Sequence, residues 1–322
     1  MAFDLRATAL IIGDVDAARP DLVVERARAR FPGLGEVSLL AVDATDCTSI
    51  AHSLAGQHDR YAWMGHRDRI EGSSALVHVD DEPFVLIYTP FAFPHDPAKQ
   101  KLKPLCRFDP APALAAQNAH ITIAPVRPRK GELIWTRAQA TVLQAFAAAI
   151  ADLVETPALY WRSAQAFQPK ERIQSAAERA LREEIPVTEW VQFYHYAPQN
   201  PALNGQEALW GMMTLGLTPF IGREVELAAA PVPMPEAMEH AFGATCLLFE
   251  RGATFQDRET LSNEDGRAAL LRDLPGGWLR QGEGLGAYVL VRSDSVIDPE
   301  TLRVATAPSG ARSLWNKVVR RA

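Results

Sequence analysis

Apolar and polar residues alternate in recognisable patterns through the first part of the chain. An apolar run over residues 7–13 ends in glycine and predicts a buried strand. Helical spacing with a proline in the first turn predicts a helix over 20–31, and residues 37–42 predict a second strand. Two β-rich runs around an acidic turn then predict a hairpin over residues 74–88.

A similar order of elements begins again at residue 120. Residues 120–126 predict a strand, and apolar positions every three to four residues predict a long helix over 136–154. A short strand over 158–161 and a charged amphipathic helix over 171–184 follow. Because the order occurs twice, we predict an α+β fold with two similar split β-α-β, ferredoxin-like halves. Their sheets are largely antiparallel, with helices packed on one face.

Proline and the late elements set the predicted domain boundaries. Five prolines fall within residues 91–112, a composition typical of an extended connector or of a helix that Pro104 interrupts. We therefore place an N-terminal α+β half at residues 1–115 and a C-terminal α+β half at 116–265. Residues 266–322 form an extension that includes a strand, a helix over 313–319 and a basic tail.

The charge balance narrows the class of partner. The chain has 322 residues with 33 basic and 39 acidic side chains, a net charge of −6 and a pI of about 5.8. The last eleven residues contain four bases and no acid, which leaves 29 bases against 39 acids in the rest. An acidic body argues against nucleic acid as a partner. It favours another protein as the partner, with a basic protein as one candidate.

Cysteine usage and hydropathy indicate the compartment. Cys47, Cys106 and Cys246 form no Cys-x-x-Cys pair, and their odd number is typical of reduced thiols. The chain start lacks the features of a secretory signal, and no apolar run approaches the roughly 20 residues of a membrane span. We expect a cytoplasmic protein with no membrane partner.

An ordered set of short motifs resembles a bacterial family known as domain of unknown function 4261. The resemblance covers roughly residues 75–265 and implies a mixed α+β fold without an established activity. Members are often met near secretion and toxin–immunity gene clusters, so the resemblance implies a protein-binding role, with type VI secretion as the expected context. The motifs are Ala119-His120-Ile121-Thr122, Leu159-Tyr160-Trp161, Trp190-Val191-Gln192-Phe193, Thr214-Leu215-Gly216-Leu217, Glu224-Val225-Glu226-Leu227 and Asp257-Arg258-Glu259-Thr260-Leu261.

Catalytic and metal-binding motifs are weak in this sequence. It has no H-E-x-x-H, G-x-S-x-G or P-loop pattern, so we predict no catalytic residues, no metal and no cofactor. His120, His195, Glu224 and Glu226 leave one enzymatic alternative open, a hydrolase with an unrecognised His/carboxylate site. A further alternative is a protein that binds a small ligand in a cleft between the two halves.

Aromatic and acidic residues in the second half define a candidate interaction surface. Exposed Trp and Tyr dominate the energetics of many interfaces, whereas the competing interpretation is that Trp190 and Trp210 fill the core. The favoured hypothesis is a non-enzymatic interaction module, an immunity or accessory protein of a secretion or toxin system; its oligomeric state is left open. The six residues of the surface are Trp190, Tyr194, His195, Trp210, Glu224 and Glu226.

Overall fold

The computed structural model describes residues 9–55, 62, 65–95, 108–126, 136–196, 209–251, 255–262, 268–274, 286–293 and 295. These residues form a mixed α+β fold with two sheets, in which antiparallel pairs predominate. They divide into two compact units, and the second begins at Trp190.

The first unit contains a seven-stranded sheet in which every neighbouring pair is antiparallel, in the order β2-β3-β4-β5-β1-β6-β7. The strands are β1 (Ala9–Gly13), β2 (Val37–Asp46), β3 (Glu71–Val79), β4 (Glu82–Thr89), β5 (Ala119–Pro125), β6 (Ala158–Trp161) and β7 (Ala166–Pro169). The helices between its strands and after β7 are α1 (Pro20–Arg30), α2 (Thr48–Ala55), α3 (Ala111–Ala116), α4 (Arg137–Leu153) and α5 (Lys170–Leu181). The short helix α6 (Val187–Trp190) follows, and its last residue is the first described residue of the second unit.

The position of β5 determines the extent of this unit. β5 lies between β4 and β1, so a strand that follows residue 115 completes a sheet begun at residue 9. The predicted division after residue 115 differs from this one, because sequence order does not reveal which strands become neighbours. β6 and β7 extend the same sheet beyond β1.

Helix α4 forms the centre of the first unit's core. The hydroxyl of Thr136 accepts from the backbone N–H of Gln139, whose side chain accepts from the backbone of Thr136, a capping box that fixes the helix start. From Val142 to Ala151 every residue is buried, which explains why small alanines dominate this stretch. α4 packs against α1, α5 and the central strands β1 and β5.

The second unit contains a six-stranded sheet in the order β11-β12-β13-β10-β9-β8. β10 and β13 are parallel, and the other neighbouring pairs are antiparallel. Helix α8 packs on β8, β9 and β10. Its elements are β8 (Gln192–Tyr196), β9 (Trp210–Leu215), α7 (Thr218–Ile221), β10 (Arg223–Ala230), α8 (Met234–Arg251), β11 (Thr260–Ser262), β12 (Ala268–Leu274) and β13 (Gly286–Arg292).

The strands and helices predicted from periodicity are largely confirmed. Among the elements without a prediction, α3 overlaps the proline-rich residues 91–112 only at its first two positions, and β7 and β11, with four and three residues, are too short to show a period. The seven-residue strand β12 has no counterpart in the predictions either. The predicted helix over 313–319 and basic tail lie outside the described residues. No helix within the described ranges is both long and apolar enough to cross a membrane.

Candidate functional site

Glu224 is a buried carboxylate of the predicted surface. It lies at the start of β10, it is 4% exposed, and its two oxygens accept five hydrogen bonds. The backbone N–H groups of Gly216, Leu217 and Thr218 donate at 3.0–3.2 Å. The hydroxyls of Thr214 and Thr218 donate at 2.8 Å each.

These hydrogen bonds give Glu224 a structural task. The three N–H groups belong to the turn between β9 and α7, where Gly216 has a φ of 114° that favours glycine. Burial raises the pKa of the Glu224 carboxyl, and the bonds from Thr218, Thr214 and Gly216 oppose that rise. Glu224 therefore braces a turn, because donors within the chain already occupy both of its oxygens.

The remaining residues of the predicted surface differ in exposure. Three of them are buried at 1–2% exposure, namely Trp190, Tyr194 and Glu226. For Trp190 this agrees with the interpretation that its ring fills the core. The Trp190 ring stacks on Phe220 with centroids 5.6 Å apart. Since Glu224 is buried as well, four of the six residues are not available as an exposed patch, because they serve the packing around this sheet.

His195 and Trp210 are the two half-buried members of the set. They lie on the neighbouring strands β8 and β9, and their ring centroids are 5.5 Å apart. Nδ1 of His195 is buried and has no hydrogen-bond partner within the part of the chain that the structure describes. The pair thus places one imidazole beside an indole, without a carboxylate bonded to that nitrogen.

His120 belongs to the first unit, whereas the other three residues of the hydrolase hypothesis belong to the second. It is buried on β5, and its Nδ1 lies 2.9 Å from the carbonyl oxygen of Phe91. Since a carbonyl only accepts, Nδ1 carries the proton of a neutral ring. The rings of Phe91 and Phe93 contact it edge-on, and burial lowers its pKa to about 4.

Clustered metal ligands and reactive thiols are two further kinds of site that the described residues could form. Within the described ranges no group of three or more His, Cys, Asp or Glu side chains is placed to hold a metal ion. Burial raises the thiol pKa of both Cys47 and Cys246, which disfavours the reactive thiolate. Cys106 lies outside the described residues.

Strand β2 lies at one edge of the seven-stranded sheet. Among the described strands β2 pairs only with β3, so one side of its backbone is open. Leu40 and Val42 are 52% and 53% exposed, and they are the large apolar side chains identified as exposed within the described residues. A register shift between Leu39 and Ala41 marks a β-bulge at Leu40. Sequence reasoning identified the strand but could not reveal that it lies at an edge.

The β2 segment itself is acidic. Residues 36–46 contain three acids and no base. Asp43 and Asp46 are exposed on the strand, and Asp46 lies opposite Glu71 in the β2–β3 register. Arg69 pairs with Glu71 at 3.1 Å. The side-chain and backbone hydrogen bonds from Thr48 lower the pKa of Asp46, which keeps that carboxylate charged.

A cleft of about 430 Å³ opens elsewhere in the first unit, where β1 ends and α1 begins. Its walls include Arg19, Glu71, Ser73 and Tyr88. The Tyr88 hydroxyl donates to the Ala18 carbonyl at 2.7 Å, which ties the β1–α1 connection to β4. The volume falls in the range of small-ligand sites, roughly 300–1,000 Å³.

Comparisons with protein families and with curated proteins identify no relative of this chain. No protein-family model matches the chain, and no curated protein matches it either. The resemblance to domain of unknown function 4261 therefore stays a prediction.

Proposed function

We propose that this chain is a non-enzymatic protein-interaction module that binds a basic protein. The observation that carries the proposal is the exposed pair Leu40 and Val42 on the open edge of β2, next to Asp43 and Asp46. Proteins normally guard a strand edge, because its unpaired N–H and C=O groups form a template for another chain. An apolar and acidic edge is suited to a partner with the opposite charge.

Burial of these two side chains supplies a source of affinity. Full burial of a Val or Leu side chain contributes about 1.5–3 kcal/mol, and each of these is already roughly half-covered. Covering the remaining half of both would add about 1.5–3 kcal/mol. That is a useful increment for an interface and too little for one by itself, so backbone pairing and charge must contribute the rest.

Charge selects the class of partner. The body of the chain carries an excess of acids, and complementary charges raise the rate at which a basic partner associates. Following the resemblance to domain of unknown function 4261, we propose an immunity or accessory role in a bacterial secretion or toxin system. The cytoplasm is the proposed compartment for this role, as the cysteine usage predicts.

We also propose that the first unit is a ferredoxin-like split β-α-β arrangement with an additional hairpin. In a split β-α-β unit, a helix joins two parallel strands that another strand separates. β5 and β6 run parallel, α4 joins them along the chain, and β1 lies between them, which supports this description. β1, α1 and β2 form a wider version, with β5, β4 and β3 between the strands. For the second unit the ferredoxin-like description stays a prediction.

Inspection of the gene neighbourhood, and co-expression with any toxin gene found there, tests the interaction role, and a neighbourhood without a toxin or secretion gene would count against it. We expect the full chain to protect cells against one such toxin and to form a stoichiometric complex with it that weakens as salt is raised. The absence of both protection and complex for every neighbouring toxin would contradict the proposal.

The cleft beside α1 favours small-ligand binding as a second candidate function. A ligand that occupies it should raise the melting temperature of the chain, because binding to the folded state alone stabilises that state. Replacing Ser73, which lines the cleft, with Trp should abolish the shift. A shift that is unchanged in Ser73→Trp would place the ligand elsewhere.

A further inference from the structure

We propose that β2 binds an extended basic segment of the partner as an additional strand of the first unit's sheet. This inference rests on the proposed function and specifies the surface and the mode of recognition. Strand addition uses main-chain hydrogen bonds for affinity and side chains at alternate positions for specificity.

Two hydrogen bonds determine which part of β2 faces the open edge. The N–H of Asp80 donates to the Glu36 carbonyl at one end, and the N–H of Cys47 donates to the Ile70 carbonyl at the other. Both contacts extend the β2–β3 register, in which backbone groups point alternately toward β3 and away from it. Counting back from Cys47, the backbones of Val42, Ala44 and Asp46 therefore point away from β3.

The other end of the edge is already occupied. The carbonyl of Val37 accepts from Nε of Arg28 on α1 at 2.6 Å. The bulge at Leu40 interrupts the alternation just beyond it. Within the described residues the free span consequently runs from Leu40 to Asp46, long enough for three outward-facing residues to exchange hydrogen bonds with an incoming strand.

Side chains on this span specify a basic segment. Asp43 and Asp46 are exposed, and Asp46 already faces the carboxylate of Glu71 across the β2–β3 pair. Arg69 already pairs with Glu71 at 3.1 Å and offsets this like-charge contact, so the position that favours a Lys or Arg on the incoming strand is Asp43. Val42, between the acidic positions and the bulge, offers an apolar contact for a residue at an alternate position of that strand.

A second copy of this chain fits the same edge poorly. Two β2 strands related by a two-fold axis near Ala44 would place the Asp43 side chains in neighbouring, diagonal positions. Diagonal neighbours lie about 7–8 Å apart, which is within the Debye length of about 8–10 Å, so two exposed carboxylates there still repel each other weakly. The acids therefore discourage self-association and leave the edge open to a cationic strand.

The test uses the full chain and a fluorescent peptide of alternating Lys and Val as the probe, with a Glu/Val peptide and a proline-interrupted Lys/Val peptide as controls. We expect fluorescence anisotropy to detect the Lys/Val peptide only. Ala44→Pro removes an outward N–H without removing a bond to β3, and should weaken binding by about tenfold or more. Asp43→Lys should weaken it by about tenfold.

Asp81→Lys is the matched control, because it makes the same charge change at an exposed position in the β3–β4 turn. It should bind the probe as the original chain does. Hydrogen exchange should show new protection of the amides of Val42, Ala44 and Asp46 in the complex. Circular dichroism and the melting temperature of Ala44→Pro verify that the variant is folded.

Equal binding of the probe by folded Ala44→Pro, or no protection over residues 42–46, would overturn strand addition. A dimer that Ala44→Pro abolishes would identify a second copy as the occupant and overturn the basic partner. If the toxin complex forms and Ala44→Pro leaves it unchanged, the interaction role stands and this inference fails. If neither toxin nor probe binds, the proposed function fails with it.

Discussion

Acidification should destabilise the first unit through His120. The imidazole is 3% exposed, its Nδ1–H is bonded to the Phe91 carbonyl, and its pKa is lowered to about 4 by burial. In the unfolded chain the ordinary value of 6.5 applies. Because the folded pKa is the lower one, the unfolded state binds more protons. Stability is therefore fully present above pH 6.5 and falls as the pH drops toward 4.

The magnitude follows from the two pKa values. A difference of about 2.5 units corresponds to roughly 3.4 kcal/mol when both states have titrated completely. As the pH falls from 7 to 5, His120 becomes largely protonated in the unfolded state and stays neutral in the folded state, so about 2 kcal/mol of unfolding free energy is lost. That loss is a large part of the 5–15 kcal/mol typical of a domain.

Urea titration with pulse proteolysis measures this quantity, since mass spectrometry of the peptides follows the first unit separately from the second. We expect the unfolding free energy of the original chain to fall by about 2 kcal/mol more than that of His120→Gln between pH 7 and pH 5. His66→Gln, which replaces an exposed imidazole, is the control and should behave as the original chain. Equal pH dependence in His120→Gln and the original chain would refute the reasoning.

Three further predictions concern packing and thiol reactivity. Glu224→Gln puts an amide NH₂ against backbone donors and should lower the unfolding free energy of the second unit by about 1–3 kcal/mol in urea; an unchanged midpoint would contradict the bracing role. Gly13→Ala places a Cβ 2.8 Å from Cγ1 of Val154 at a φ of 144°, so the first unit should lose about 1–3 kcal/mol in the same assay. Cys47 is fully buried and Cys246 half-buried, so iodoacetamide should alkylate Cys246 before Cys47, as peptide mass spectrometry can show; faster labelling of Cys47 would contradict its enclosure.

Local sequence signals predicted the elements that carry their own periodicity. The apolar spacing of α4 extends over 17 residues, and Thr136 with Gln139 supplies a capping box at its start. The hairpin of β3 and β4 follows from two β-rich runs and an acidic turn, in which Asp80 adopts a positive φ of 52°. These features depend on neighbours within a few residues, so the chain itself contains the information.

The candidate sites were less accessible to sequence reasoning. Glu224 and Glu226 alternate on a strand, a pattern that serves a solvated face as well as a buried one. The structure shows that the backbone N–H groups of residues 216–218 donate hydrogen bonds to the Glu224 carboxylate. Glu224 therefore stabilises a turn that precedes it in the chain, which its own strand pattern does not indicate. Trp190 was open to both interpretations until its stacking on Phe220 was known.

By itself, the sequence determined the α+β class, the acidic charge and most of the longer strands and helices, because local spacing and composition specify these. The tertiary structure alone decided that β5 joins β1 and β4 in one sheet, and that β2 lies at its edge. Strand order depends on contacts between residues far apart in the chain, and a period of two is the same at the centre of a sheet and at its border. For that reason Leu40 and Val42 become a candidate interface only after the neighbours of β2 are known.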